Sequence, residues 1–281
     1  MPTANDGPRR TAPVASVAGI TEPTGPSKGT IVLVHIYPRE MSIYGDLGNT
    51  RVMQHRLNWH GYTCDLRRHH PGDEFPRDAH LVLGGGGQDS GQAHVEADLE
   101  RNADVLRGLA ADGTPMVMVC GMYQLFGNAF ITVEGARLPG LGILDVTTTG
   151  GADRMIGPVA LDTPYGRVVG YENHSGRTTL GAGQQPFGRV LHGHGNNPDD
   201  GLEGAVTHRV IGTYLHGPIL PANPALADAL IKDAVERGLG RAFEPEAIDD
   251  HLADQARERQ IARLLSGRER RDRASGQARG A

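Results

Sequence analysis

The sequence predicts an α/β protein: a doubly wound, mostly parallel sheet flanked by helices, with a C-terminal helical tail. Three observations carry this. Apolar, β-branched runs of strand length alternate with segments of helical period through residues 30–125. The connections between them are short. Glycines gather at 84–87, 150–151, 181–183 and 193–195, where the ends of buried strands need tight loops.

The elements follow in order. Residues 30–36 (Thr-Ile-Val-Leu-Val-His-Ile) have the continuous apolar character of a parallel strand buried on both faces. Residues 46–60 read as a helix with Leu47, Val52, Met53 and Leu57 on one side, ended by Gly61. A second strand spans 62–66, and a third, 79–83, runs into Gly84-Gly85-Gly86-Gly87. Residues 93–110 form the next helix, closed by Asp112-Gly113, and 115–119 are a core strand that stops at Cys120. From about 130 the strands are shorter and punctuated by Gly and Thr, as at 144–149 and 167–171. Residues 206–215 resemble another core strand, ending at His216, and 223–238 make a closing helix. These boundaries predict a disordered leader at 1–28 and one domain over 29–240. A helix at 241–267 and a disordered arginine-rich tail at 268–281 complete the chain.

Composition narrows the function. The 281 residues are 38% hydrophobic and 22% charged, with a net charge of −5, which argues against a mainly nucleic-acid-binding role. Two cysteines, Cys64 and Cys120, imply no disulfide framework and fit a reducing compartment. No apolar run approaches the roughly 18 residues of a membrane span, and the N-terminus lacks a secretory pattern. The expectation is a cytoplasmic protein, with the arginine-rich tail a candidate contact for the inner membrane face or a partner.

Cys120 stands between a buried strand and a helical stretch beginning Gly121-Met122-Tyr123, the sequence form of a nucleophile elbow. Such a turn exposes a thiol to a helix N-terminus, and the thiolate is the reactive species. Taken alone, Cys120 reads equally well as a core cysteine. His216 changes that, because a second parallel strand would deliver it to the same sheet edge, where open α/β folds place their sites. A cysteine and a histidine there supply a nucleophile and a general base. Backbone N–H groups of Gly121 and of the Gly84–Gly87 loop, with Gly85 and Gly86 the chosen donors, would form an oxyanion hole.

The stretches at 43–49, 83–89, 120–124, 171–178, 195–197 and 212–218 together resemble the class I glutamine amidotransferases, a flavodoxin-like fold, in their cobyric-acid-synthase-like branch. Within it they are most similar to the glutaminase subunits of lipid II isoglutaminyl synthases. The resemblance implies that Cys120 attacks the side-chain amide of L-glutamine to form a thioester and that His216 moves the protons. It places Asp46 as the residue orienting His216, whereas by local sequence alone Asp46 is a helix N-cap. It also places Arg154 on the substrate α-carboxylate, which a guanidinium can bind bidentately.

Two departures are visible. Many relatives carry Glu two residues after the histidine where this chain has Pro218, and the usual Gly-X-Cys-X-Gly elbow has Met118 and Met122 at its glycine positions. No cofactor or metal is implied in this chain. The resemblance implies that a Mur-ligase-like partner of the MurT type would use ATP and Mg to activate the D-glutamate α-carboxylate of the lipid II stem peptide, and that ammonia would convert it to D-isoglutamine. Alternatives are a corrinoid carboxylate as acceptor, or a non-enzymatic amidotransferase-like subunit. His192 and His194 read as loop residues, His69 and His70 as a solvated turn, and Cys64 as core. The glycine run lacks the Gly-Lys-Ser/Thr of a phosphate loop.

Overall fold

The computed structural model describes residues 25–87 and 89–278. The leader expected at 1–28 therefore lies outside the described residues up to 24, as do Gln88 and 279–281. Residues 25–28 belong to the domain. The N–H of Lys28 donates to Gly61 C=O at 2.8 Å, and its ammonium pairs with Glu246.

In chain order the first half comprises β1 (Thr30–Ile36), α1 (Leu47–Trp59), β2 (Thr63–His69), β3 (Leu81–Gly84), α2 (Asp89–Arg101), α3 (Ala103–Ala111), β4 (Met116–Val119) and α4 (Gly121–Phe126). Then come β5 (Ala129–Ile131), β6 (Arg137–Pro139), β7 (Val146–Thr163), β8 (Gly166–Leu180), β9 (Gly188–His192), β10 (Leu202–Glu203), β11 (Ala205–Thr207) and β12 (Val210–Thr213). Helices α5 (Ile219–Ala222), α6 (Pro224–Leu239) and α7 (His251–Ala278) close the chain.

The main sheet has the order β11-β12-β4-β3-β1-β2, parallel throughout except for the edge strand β11. Its central strands are apolar and buried along their whole length, as at Met116-Val117-Met118-Val119. Strands β4 and β12 are neighbours, so the residues that follow them emerge side by side at the C-terminal edge.

A second sheet, ordered β10-β9-β7-β5-β6 with β8 on β7, is mostly antiparallel. The short strands expected at 144–149 and 167–171 are pieces of the long β7–β8 hairpin. The glycines that read as breaks are close approaches instead. A Cβ on Gly176 would meet Gln124 Nε2 at 2.5 Å, and one on Gly170 would meet Leu215 Cγ at 2.7 Å. Tyr171 and His216 exchange two backbone hydrogen bonds, of 3.0 and 2.9 Å, which tie this hairpin to the main sheet at the site.

Other boundaries move as well. The helix expected over 93–110 is two, α2 and α3, broken at Asn102. His69, expected in a solvated turn, is buried and hydrogen-bonded to Asp98 at 2.8 Å, because β2 extends to it. The arginine-rich stretch from 268 continues α7 as backbone to Ala278 rather than forming a separate tail, in keeping with the helix propensity of Arg, Glu, Gln and Ala. Ile261 and Leu264 seat α7 on Ala160 and Val169 of the hairpin.

Candidate active site

Cys120 has φ 52° and ψ −105°, a left-handed conformation that costs a non-glycine residue about 1–3 kcal/mol. Its N–H donates to Thr213 C=O at 2.8 Å, locking the turn to the end of β12. The tight surroundings explain the glycines. A Cβ on Gly121 would lie 2.8 Å from Gln92 Nε2, and one on Gly86 would lie 2.6 Å from His216 Cε1 and 3.2 Å from Cys120 Cβ. The two methionines of the elbow are accommodated from the opposite strand. Gly84 pairs with Met118, and a Cβ there would meet Met118 Sδ at 2.8 Å and Met122 Cγ at 3.1 Å. Met122 is thus fully buried against β3.

His216 and Asp46 are 170 residues apart in sequence and both almost completely buried. Nδ1 of His216 lies 3.1 and 3.2 Å from the two Asp46 oxygens. A carboxylate only accepts, so Nδ1 carries the proton. Asp46 sits at the N-cap position of α1, yet its side chain makes no capping bond. Its second role is to accept the Gly86 N–H at 2.7 Å.

Burial pulls the His216 pKa down, but the hydrogen bond to Asp46 and the neighbouring Cys120 outweigh it, lifting the value to about 10. The imidazole is therefore protonated near neutrality. Tyr44 covers it edge-on at 5.0 Å between centroids.

The bond from Gly86 to Asp46 corrects one expectation, since that N–H is not free to serve an oxyanion. Gly85 is packed as tightly, for a Cβ there would meet Met41 O at 2.5 Å and Asp46 Cβ at 3.0 Å. Gly87 also borders the elbow, its N 3.0 Å from a Cβ placed on Gly121. That assignment was illegible in a run of four identical glycines.

The departure at Pro218 has a structural counterpart. A Cβ on Gly48 would lie 2.4 Å from Pro218 Cγ, so the first turn of α1 presses on the ring. Next to it, Asn49 Oδ1 accepts the Leu220 N–H at 2.9 Å. The helix start that carries Asp46 thus also grips the segment after His216. Gly48→Ala is expected to destabilise the fold by about 1–3 kcal/mol through overpacking. Combining it with Pro218→Ala should recover most of that loss, because the Cγ met at 2.4 Å is gone. Thermal unfolding of the single and double variants checks both.

A pocket of about 450 Å³ opens over Cys120. Arg154, placed by the irregularity between Gly150 and Met155 of β7, lies on its wall and donates to Asn173 Oδ1 at 3.1 and 2.7 Å. The pocket also holds Gln92, Gln124 and His174, which local sequence did not distinguish as pocket residues. His174 stacks on Tyr214 at 3.6 Å, and Nδ1 bonds Gly176 C=O at 2.8 Å. Burial lowers its pKa to about 3, so it is neutral.

The remaining candidates lie elsewhere. His194 bonds the buried Glu172 at 2.8 Å, and no group of three or more His, Cys, Asp or Glu able to hold a metal occurs among the described residues. Cys64 is half-buried, and burial pushes its thiol pKa up to about 12.

A thiol on a strained turn, backed by a protonated imidazole and a carboxylate, is the chemistry of acyl transfer through cysteine. The sheet bearing it has the arrangement of class I amidotransferases, and the sequence agrees. Residues 32–224 match the CobB/CobQ-like glutamine amidotransferase domain, and the chain belongs to that family.

Among curated proteins it is similar to the lipid II isoglutaminyl synthase (glutamine-hydrolyzing) subunit GatD of Staphylococcus aureus (strain N315). Identity is 34% over 230 residues, covering 81% of this chain and 93% of that one. The GatD subunit of Streptococcus pneumoniae (strain ATCC BAA-255 / R6) is 32% identical over 236 residues, covering 80% and 88%. A crystal structure of a glutamine amidotransferase shares the fold at TM-score 0.50 and 15% identity, covering 72% of this chain and 98% of that one. No helix among the described residues is long and apolar enough to cross a membrane.

Proposed function

We propose that this chain is the glutamine-hydrolysing subunit of a two-protein enzyme that amidates the D-glutamate α-carboxylate of lipid II to D-isoglutamine. The observation that carries it is the Cys120–His216–Asp46 arrangement in a chain matching GatD subunits over nearly their whole length.

Cys120 attacks the carboxamide carbon of glutamine as the thiolate, its proton held on His216, and the N–H groups of Gly121 and Gly87 receive the oxyanion. The C–N bond breaks as His216 gives its proton to the leaving nitrogen, releasing ammonia and a thioester. Water then attacks the thioester with His216 accepting a proton, and glutamate leaves. Arg154 holds the substrate α-carboxylate.

The partner is a Mur-ligase-like subunit of the MurT type that uses ATP and Mg to activate the acceptor. Passage of ammonia between the two proteins keeps it from protonating in bulk water. The test is co-expression with such a partner and assay of lipid II by mass. Amidation that requires glutamine, ATP and both chains is the expected result, and a complex that leaves lipid II unamidated would sink the reading.

A further inference from the structure

Strand β12 ends at Thr213, short of His216, and loses its neighbours on both sides there. On one side β4 gives way to the elbow, and the Cys120 N–H takes the Thr213 C=O at 2.8 Å. On the other side the β11–β12 ladder pairs Ala205 with Gly212. Continued by two residues, it would set the Glu203 backbone against Tyr214. The ladder stops because the chain turns at Gly204 (φ 64°), where a Cβ would strike Gly212 O. Glu203 pairs instead with Gly188 of β9 in the second sheet.

The Tyr214 and Leu215 N–H groups thus lie in the interior with no strand to bond, and buried N–H groups need acceptors. The Glu203 side chain takes the strand's place. Its Oε1 accepts the Tyr214 N–H at 2.7 Å. Thr213 Oγ1 lies 3.0 and 3.1 Å from its two oxygens and accepts the Leu215 N–H at 3.1 Å. Glu203 is fully buried, and burial pushes its pKa up to about 8, with Glu172 adding to the rise. A leucine would be cheaper to bury. It would also leave the Tyr214 N–H unpaired and free the Thr213 hydroxyl that holds Leu215.

We propose that Glu203 is a positioning residue for the reaction, its side chain fixing the path of Thr213, Tyr214 and Leu215 that brings His216 to Asp46 and Cys120; this rests on the glutaminase reading above. The path matters at both ends. Thr213 is held through its hydroxyl while its carbonyl holds the Cys120 turn, and the next residue after Leu215 must place its Nδ1 3.1 Å from Asp46 Oδ1. A misplacement of about 1 Å in such a group can lower a rate about 10²-fold.

The test measures ammonia release from glutamine by the full chain in complex with its ligase partner, together with NMR titration of the His216 imidazole. Glu203→Leu should lower kcat about 10- to 100-fold with KM changed less than about threefold, since Glu203 contacts the chain and not the substrate. The His216 pKa should fall from about 10 as the bond to Asp46 loosens. Glu203→Gln keeps an oxygen for the Tyr214 N–H and should restore most of both. Thr213→Val removes the hydroxyl link alone and should move kcat and the titration in the same direction by less, which serves should Glu203→Leu fail to fold. An unchanged His216 titration in a folded Glu203→Leu or Thr213→Val protein would overturn the assignment. So would losses in Glu203→Gln equal to those in Glu203→Leu. A wild-type complex inert toward glutamine would overturn the glutaminase reading, and the titration would still decide whether Glu203 places the ring.

Discussion

Cys120→Ala is expected to lower glutamine-dependent amidation by at least about 10⁴-fold while leaving amidation driven by added ammonium intact. The magnitude follows from the role: without a sulfur there is no covalent intermediate, and what survives in such sites comes from binding and the oxyanion hole alone. Ammonium rescue separates this chain's chemistry from that of the proposed partner, on which the acceptor would be activated. Cys120→Gly supplies the folding control. Glycine adopts φ 52° without the penalty that Cys120 carries, so this variant should be equally inactive yet no less resistant to heat. Glutamine-dependent turnover by Cys120→Ala, measured as ammonia released, would remove the thiol from the mechanism.

The main sheet and its two reactive strand ends were legible in the sequence because they rest on local signals. Runs such as Met116-Val117-Met118-Val119 are apolar at every position, which only a strand buried on both faces requires. The second sheet was not legible. Its β7–β8 hairpin alternates in burial and is interrupted by glycines such as Gly170 and Gly176, placed there by side chains packing from α4 and from the segment after β12. A glycine demanded by a distant neighbour looks, in sequence, like one that ends a strand.

The same limit applied within the site. Asp46 presents the local signature of an N-cap, and only the tertiary approach of His216 takes its carboxylate elsewhere. Four consecutive glycines gave no means of telling which N–H meets Asp46. Pro218 reads in sequence only as a departure, whereas in the fold Gly48 approaches its ring and Asn49 accepts a hydrogen bond from the same segment. Position 218 contacts the helix start that supplies the Asp46 carboxylate, so the absence of Glu there and the Asp46–His216 contact belong to one arrangement.

Asp46→Asn should lower glutamine turnover about 10²- to 10⁴-fold with little change in KM, since the residue acts through His216 and not on the substrate. The amide keeps the shape but removes the charge that opposes burial of the imidazolium. The His216 pKa should then fall from about 10, because desolvation is no longer outweighed. The sign of the stability effect follows from that direction. A histidine whose folded pKa is raised contributes stability that is full below its unfolded value of about 6.5 and is lost as pH rises through the folded value. The wild type should therefore be more stable than Asp46→Asn near neutrality, with the gap in melting temperature closing as pH approaches 10. NMR titration of the His216 imidazole reads the shift itself. A ring that titrates unchanged in Asp46→Asn, or a stability gap that widens with pH, would show that Asp46 does not hold the proton on His216.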